Sequence, residues 1–230
     1  MRYDFDSVVS REGWGASKWE AMRTTDGLHP LGIVPFSIAD MEFRVAPEIQ
    51  ETLKKTVEMG VLGYTEPTEE YYDAVMRWME RRHNWRIEQE WIQPTYGVVV
   101  ALLVAVRALT KPGDGVIIQP PVYRPFRLAI EDNGRRTVEN PLKFSSGRYE
   151  MDYEDLERKA RDPNVTMAIL CSPHNPVGRV WTREELGRFA EICRRNNVFV
   201  ASDEIHNDLV FAPHVHTPFA ALSEADAGIA

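Results

Sequence analysis

Little in this chain of 230 residues supports the functions most easily read from composition. It has only two cysteines, Cys171 and Cys193, too few for a disulfide framework or a zinc knuckle. Basic residues are in the minority. Lys and Arg number 27 against 35 Asp and Glu, a net charge of -8, so no nucleic-acid surface is expected. No apolar run is long enough to span a bilayer, and Met1-Arg2-Tyr3-Asp4-Phe5-Asp6 lacks the apolar core of a signal peptide. A cytoplasmic location is the expectation. GxGxxG and Walker patterns are missing too, which argues against dinucleotide and nucleoside triphosphate sites.

What is present is alternation. A stretch rich in Gly and Pro, irregular to about Arg44, precedes helical spacing from Pro47 to Met59, Tyr71 to Arg82 and Gly97 to Leu109. Short apolar strands at Val116-Ile117-Ile118, Arg136 to Glu139, Thr166 to Leu170 and Val198 to Ala201 then alternate with helices. Those helices cover Tyr123 to Asp132, Asp152 to Arg161, and a last one ending at Arg195 that Thr182 and Glu185 open as a capping box. Such a pattern predicts an α/β fold with a mostly parallel sheet and helices on both faces. The cluster Arg77, Arg81, Arg82 and Arg86, interleaved with Trp78 and Glu80, reads as a solvated helix face. Met76, Trp78 and Met79 read as packing.

Ligands of open α/β sheets bind just beyond the carboxyl ends of strands, so the loops there carry the chemistry. Asp203 follows the run Val198-Phe199-Val200-Ala201, and a carboxylate held in that place needs a cationic partner. A cap for the next turn and a protonated pyridine nitrogen both satisfy it. Asn175 sits in the rigid loop Cys171-Ser172-Pro173-His174-Asn175-Pro176-Val177-Gly178, fixed either to donate to a ligand or to close an Asx turn. Gly97 and Val98 open an apolar helix whose free N–H groups suit an anion. Tyr123, behind Pro120-Pro121-Val122, can stack on a planar ligand or belong to the core. Cys171 reads as inert core rather than a nucleophile. His214-x-His216 in a strand would share one face, but with no further ligand at metal spacing a metal site is not expected.

Together these motifs resemble fold-type I pyridoxal phosphate (PLP) enzymes of the class I/II aminotransferase superfamily. Lys18-Trp19, Ile38-Ala39-Asp40-Met41-Glu42-Phe43, Gly63-Tyr64, Cys171 through Trp181 and Ser202 through Asp208 are similar to the cystathionine β-lyase (MalY/PatB-type C–S lyase) branch. Two departures stand near the expected substrate entrance: Ser37 replaces the usual Trp and Glu42 the usual Asp. The resemblance implies that Asp203 pairs with the pyridine nitrogen, Asn175 and His206 bond the phenolic oxygen, and Tyr123 stacks on the ring. It implies backbone N–H groups of Gly97 and Val98 on the phosphate, and Ala39 lining the substrate carboxylate pocket. Tyr64 is implied to reach the phosphate across a homodimer interface. Residues 1–45 would belong to the small domain and substrate entrance, and 46–230 to the large PLP-binding domain, incomplete at its C-terminal end.

The same resemblance requires a Schiff-base lysine some tens of residues beyond Asp203. The lysines are Lys18, Lys54, Lys55, Lys111, Lys143 and Lys159, all upstream, so that catalytic residue is expected beyond Ala230 and the chain alone is expected to be inactive. The C-terminal small domain, with its substrate-binding arginine, is expected there too. The implied activity is PLP-dependent β-cleavage of cystathionine or related S-substituted cysteines to thiol, pyruvate and ammonia. An aminotransferase on the same site and a regulatory binding protein on the same fold remain the alternatives.

Overall fold

A computed structural model describes residues 3–7, 9–22, 35 and 38–222, so Ser37 and the tail from Ser223 lie outside the described residues. The chain divides into two units, Met1–Glu66 and Pro67–Ala230.

In Met1–Glu66 a short helix, α1 (Ser17–Glu20), interrupts the stretch expected to be irregular. Helix α2 (Pro47–Glu58) begins at Pro47, whose fixed φ and missing N–H suit a first turn. Its apolar residues Ile49, Leu53 and Val57 lie one turn apart and are exposed. Among the described residues, ionic contacts tie Arg11 and Lys18 to residues 40 and 42. Arg11 contacts Asp40 at 2.7 Å and Glu42 at 2.8 Å. The buried Lys18 reaches the Asp40 carbonyl at 2.6 Å, its carboxylate at 2.9 Å and Glu42 at 2.6 Å. An ammonium has three N–H donors, and all are used.

The unit Pro67–Ala230 carries the sheet. Helices α3 (Glu69–His83) and α4 (Val98–Leu109) precede strand β1 (Gly115–Ile118). Then follow α5 (Pro125–Glu131), β2 (Arg136–Glu139), the strands β3 (Lys143–Ser145) and β4 (Arg148–Glu150), and α6 (Tyr153–Ala160). Strand β5 (Val165–Cys171), α7 (Arg183–Arg195) and β6 (Phe199–Asp203) complete it. The main sheet is parallel in the order β2-β1-β5-β6. Strands buried on both faces must be largely apolar, as β1 is and as β5 is from Met167 on. Val116, Ile118, Met167 and Ile169 face α4 and α5, whereas Ile117, Ala168 and Leu170 face α6 and α7. Gly115 is required by packing: a Cβ there would lie 2.9 Å from methyls of both Val138 and Val165.

Three local features differ from the sequence expectations. The antiparallel β3–β4 hairpin turns on Ser146 and Gly147, both at positive φ. Arg86 lies past the end of α3, beyond Asn84 in the left-handed conformation. The Trp78 face of α3 is not simply solvated, since Trp78 Nε1 donates to Asp208 at 2.9 Å while Arg81 and Arg82 lie over its ring.

Candidate functional site

The connections out of the sheet fix where a ligand can sit. From β1 the chain crosses through α5 to β2, and from β5 it crosses through α7 to β6 on the opposite side. A crevice therefore opens between the carboxyl ends of β1 and β5, where the strand order reverses. Tyr123 follows β1, Asn175 follows β5, and Asp203 closes β6. The neighbouring register places Cys171 beside Asp203, and the Ser172 amide donates to the Asp203 carbonyl at 3.0 Å.

Several contacts hold the Asn175 loop. Its amide donates to Cys171 Sγ at 3.3 Å, and Trp181 Nε1 donates to the Cys171 carbonyl at 2.9 Å. The His174 amide donates to the Arg179 carbonyl at 2.8 Å, and His174 Nε2–H donates to the Pro121 carbonyl at 3.0 Å. Burial holds the His174 imidazole below its ordinary pKa, so it is neutral with its proton on Nε2. This bond links the loop of Asn175 to that of Tyr123. The Pro120–Pro121, Ser172–Pro173 and Asn175–Pro176 peptide bonds are cis. Burial pushes the Cys171 thiol up to about 12, so it is protonated and serves as a strut.

Asp203 is buried, and among the described residues its carboxylate accepts one hydrogen bond, from the Ile205 amide at 3.1 Å. It has no ion pair among the described residues. Burial raises its carboxyl above the usual range, opposed by the Ile205 N–H and by the charge of His206. It lines a cleft of about 540 Å³ together with Val98, Met79 and Trp85. A second cleft, of about 330 Å³, is lined by Asn175, His206, Leu209 and Phe211. At the start of α4, Gly97 has φ +106, and a Cβ there would meet nothing within 4 Å. Such a conformation favours glycine and leaves the first N–H groups of the helix accessible. Tyr123 is exposed on one side and packs edge-on against Phe126 at 6.0 Å.

The five positions Gly97/Val98, Tyr123, Asn175, Asp203 and His206 thus belong to one unit, at the loops that follow its strands and the start of α4. Tyr64 and Ala39 belong to the other unit, where both are exposed. A buried carboxylate with no ion pair among the described residues fits the nitrogen of a protonated pyridine, and the open helix start fits a phosphate. Lys111, Lys143 and Lys159 line neither cleft. His214 and His216 lie outside any strand, so they do not share a strand face, and the buried His216 bonds Glu204 instead. Sequence reasoning missed the bridging role of His174 and the cleft residues Met79 and Trp85. Only the spacing of Met79 on α3 hinted at an inward side chain.

The sequence model for aminotransferases of class I and II matches residues 32–230. Over 98% of its length the chain is 46% identical to 58% of the cystathionine β-lyase PatB of Bacillus subtilis. It is 34% identical to the protein MalY of Escherichia coli, over 97% of this chain and 57% of that one. Among solved structures, that of cystalysin from Treponema denticola, which contains a pyridoxal 5'-phosphate cofactor, superposes with a TM-score of 0.93. The identity is 46%, covering 97% of this chain and 57% of that one. The chain thus spans little more than half the length of these relatives.

Proposed function

Since this chain belongs to the aminotransferase class I and II family, we propose that it is the greater part of the PLP-binding domain of a carbon–sulfur β-lyase. The substrate is cystathionine or a related S-substituted cysteine, cleaved to thiol, pyruvate and ammonia. One observation carries the reading: the carboxylate of Asp203 is buried at the end of β6 with no ion pair among the described residues. When bound, the cofactor supplies a cationic ring that withdraws electrons from the amino acid's α-carbon.

The residues of the chain do the rest. Asp203 keeps the ring nitrogen protonated, and the ion pair offsets the cost of its own burial. Asn175 and His206 donate to the ring oxygen, Tyr123 stacks on the ring, and the Gly97 and Val98 amides hold the phosphate. Ala39 presents backbone to the substrate carboxylate. Tyr64 reaches the phosphate in the partner subunit of a homodimer. In this reading residues 1–45 form part of the substrate entrance, residues 46–230 hold the cofactor, the proton-moving lysine lies beyond Ala230, and the enzyme works in the cytoplasm.

The test is pyruvate release from cystathionine by the full-length enzyme with no keto acid added. Release in the parent and its loss in Asp203→Ala, together with the cofactor's colour, is the expected result. Turnover that depends on a keto acid would instead make it an aminotransferase.

A further inference from the structure

Pairing of β6 with β5 places the Asp203 backbone, but among the described residues its carboxylate has one hydrogen-bond partner, the Ile205 amide, so its aim depends on the turn that follows. That turn is fixed by Glu204. One Glu204 carboxylate oxygen accepts from Ser202 Oγ at 2.8 Å and from the Phe219 amide at 2.8 Å. The other accepts from His216 Nε2–H at 2.8 Å. His216 and Phe219 are both buried, and the His216 ring meets His83 edge-on at 5.5 Å. His83 Nε2 in turn bonds Asp208 at 3.1 Å. The Glu204–Asp208 segment is thus anchored at both ends by a carboxylate–imidazole pair, with His206 between them.

We propose that Glu204, held by His216, is a positioning residue that aims Asp203 at the cofactor nitrogen. The inference rests on the PLP-site reading above. Three donors converge on the Glu204 carboxylate at the edge of the Asp203 cleft, using both of its oxygens, the arrangement by which outer partners orient the groups that hold a ligand. A packing role alone needs no such directional set, and an apolar side chain would fill the same space without it.

The test compares Glu204→Ala with Glu204→Gln in the full chain. In Glu204→Gln the amide oxygen still accepts from Ser202 and Phe219. The His216 proton moves to Nδ1, so that Nε2 accepts from the new amide. Hydrogen exchange of the Ile205 amide reports whether Asp203 stays in place, with or without cofactor. In Glu204→Ala we expect that exchange to quicken, and PLP to bind more weakly, each by about tenfold, the scale on which outer partners act. In Glu204→Gln the His216 Nδ1–H is buried with no acceptor among the described residues, so the variant is expected to fall between the parent and Glu204→Ala in both. Unchanged Ile205 exchange in Glu204→Ala would overturn the proposal, as would a Glu204→Gln variant as impaired as Glu204→Ala. Should Glu204→Ala fail to fold, His216→Leu is read in the same way. A parent that binds no PLP would refute the PLP reading itself, while Ile205 exchange still reports on the Glu204 anchor.

Discussion

In Pro67–Ala230 the sheet buries apolar side chains on both faces, whereas in Met1–Glu66 helix α2 buries none and ions hold the 38–42 loop. The two regions are stabilised by forces with different ranges and sensitivities. Apolar burial scales with area and ignores salt, so many small contacts add up to a cooperative core. Surface ion pairs contribute roughly 0–1 kcal/mol each and weaken with salt and acid. Apolar burial on both faces of the sheet can offset the cost of a carboxylate buried at its edge.

The comparison breaks most visibly in the core. Phe189 on α7 is fully buried, so Phe189→Ala is expected to cost about 3–5 kcal/mol, read as a lower urea midpoint for the unit Pro67–Ala230. A loss no larger than that of a surface substitution would contradict the packing described.

A smaller effect of opposite sign is expected at Asp203. Its carboxyl is raised in the folded state, so as pH climbs past the usual aspartate range the folded protein keeps a proton that the unfolded chain has released. Stability falls across that window, and above it the buried charge is a standing cost. Asp203→Asn removes the cost and keeps an acceptor for the Ile205 amide. The cofactor-free variant should therefore melt above the parent at about pH 8 and level with it at about pH 3, while cofactor binding is lost. Equal melting at both pH values would show that the site stores no such strain.

The smallest effect belongs to the ionic cluster. Arg11 and Lys18 hold the Glu42 carboxyl down to about 2. The stability this adds is present above the usual glutamate range and is lost as pH falls through about 2. Proteolysis of the 38–42 loop should quicken under acid or high salt well before the sheet responds, and Glu42→Gln should quicken it at neutral pH. A loop indifferent to all three conditions would mean that the ion pairs contribute nothing there.

Much of this was legible in the residues. Helices α2, α3 and α4 fall where the spacing of apolar residues puts them, and Thr182 and Glu185 form the reciprocal capping bonds their spacing announced. The β3–β4 hairpin was not read, because its strands are short and carry no buried face, although Ser146-Gly147 is the kind of turn pair that marks one. Asp203 stood out because it lies just behind an apolar run, and Asn175 because two prolines and a glycine stiffen its loop after the preceding strand. The His174 bond to Pro121 spans 53 residues and the Glu204 bond to His216 spans 12, so no local pattern could register either.

By itself, the sequence determined the order of helices and strands, the parallel sheet and the loops that hold polar groups at its edge. Periodicity and turn chemistry act over a few residues, and each such segment carries its own instructions. Only the tertiary structure decided that Asp203 lies buried with no ion pair among the described residues, that His174 ties two loops together, and that Glu204 collects three donors. Burial and hydrogen-bond direction depend on which distant segments meet, and that becomes fixed only when the sheet has assembled.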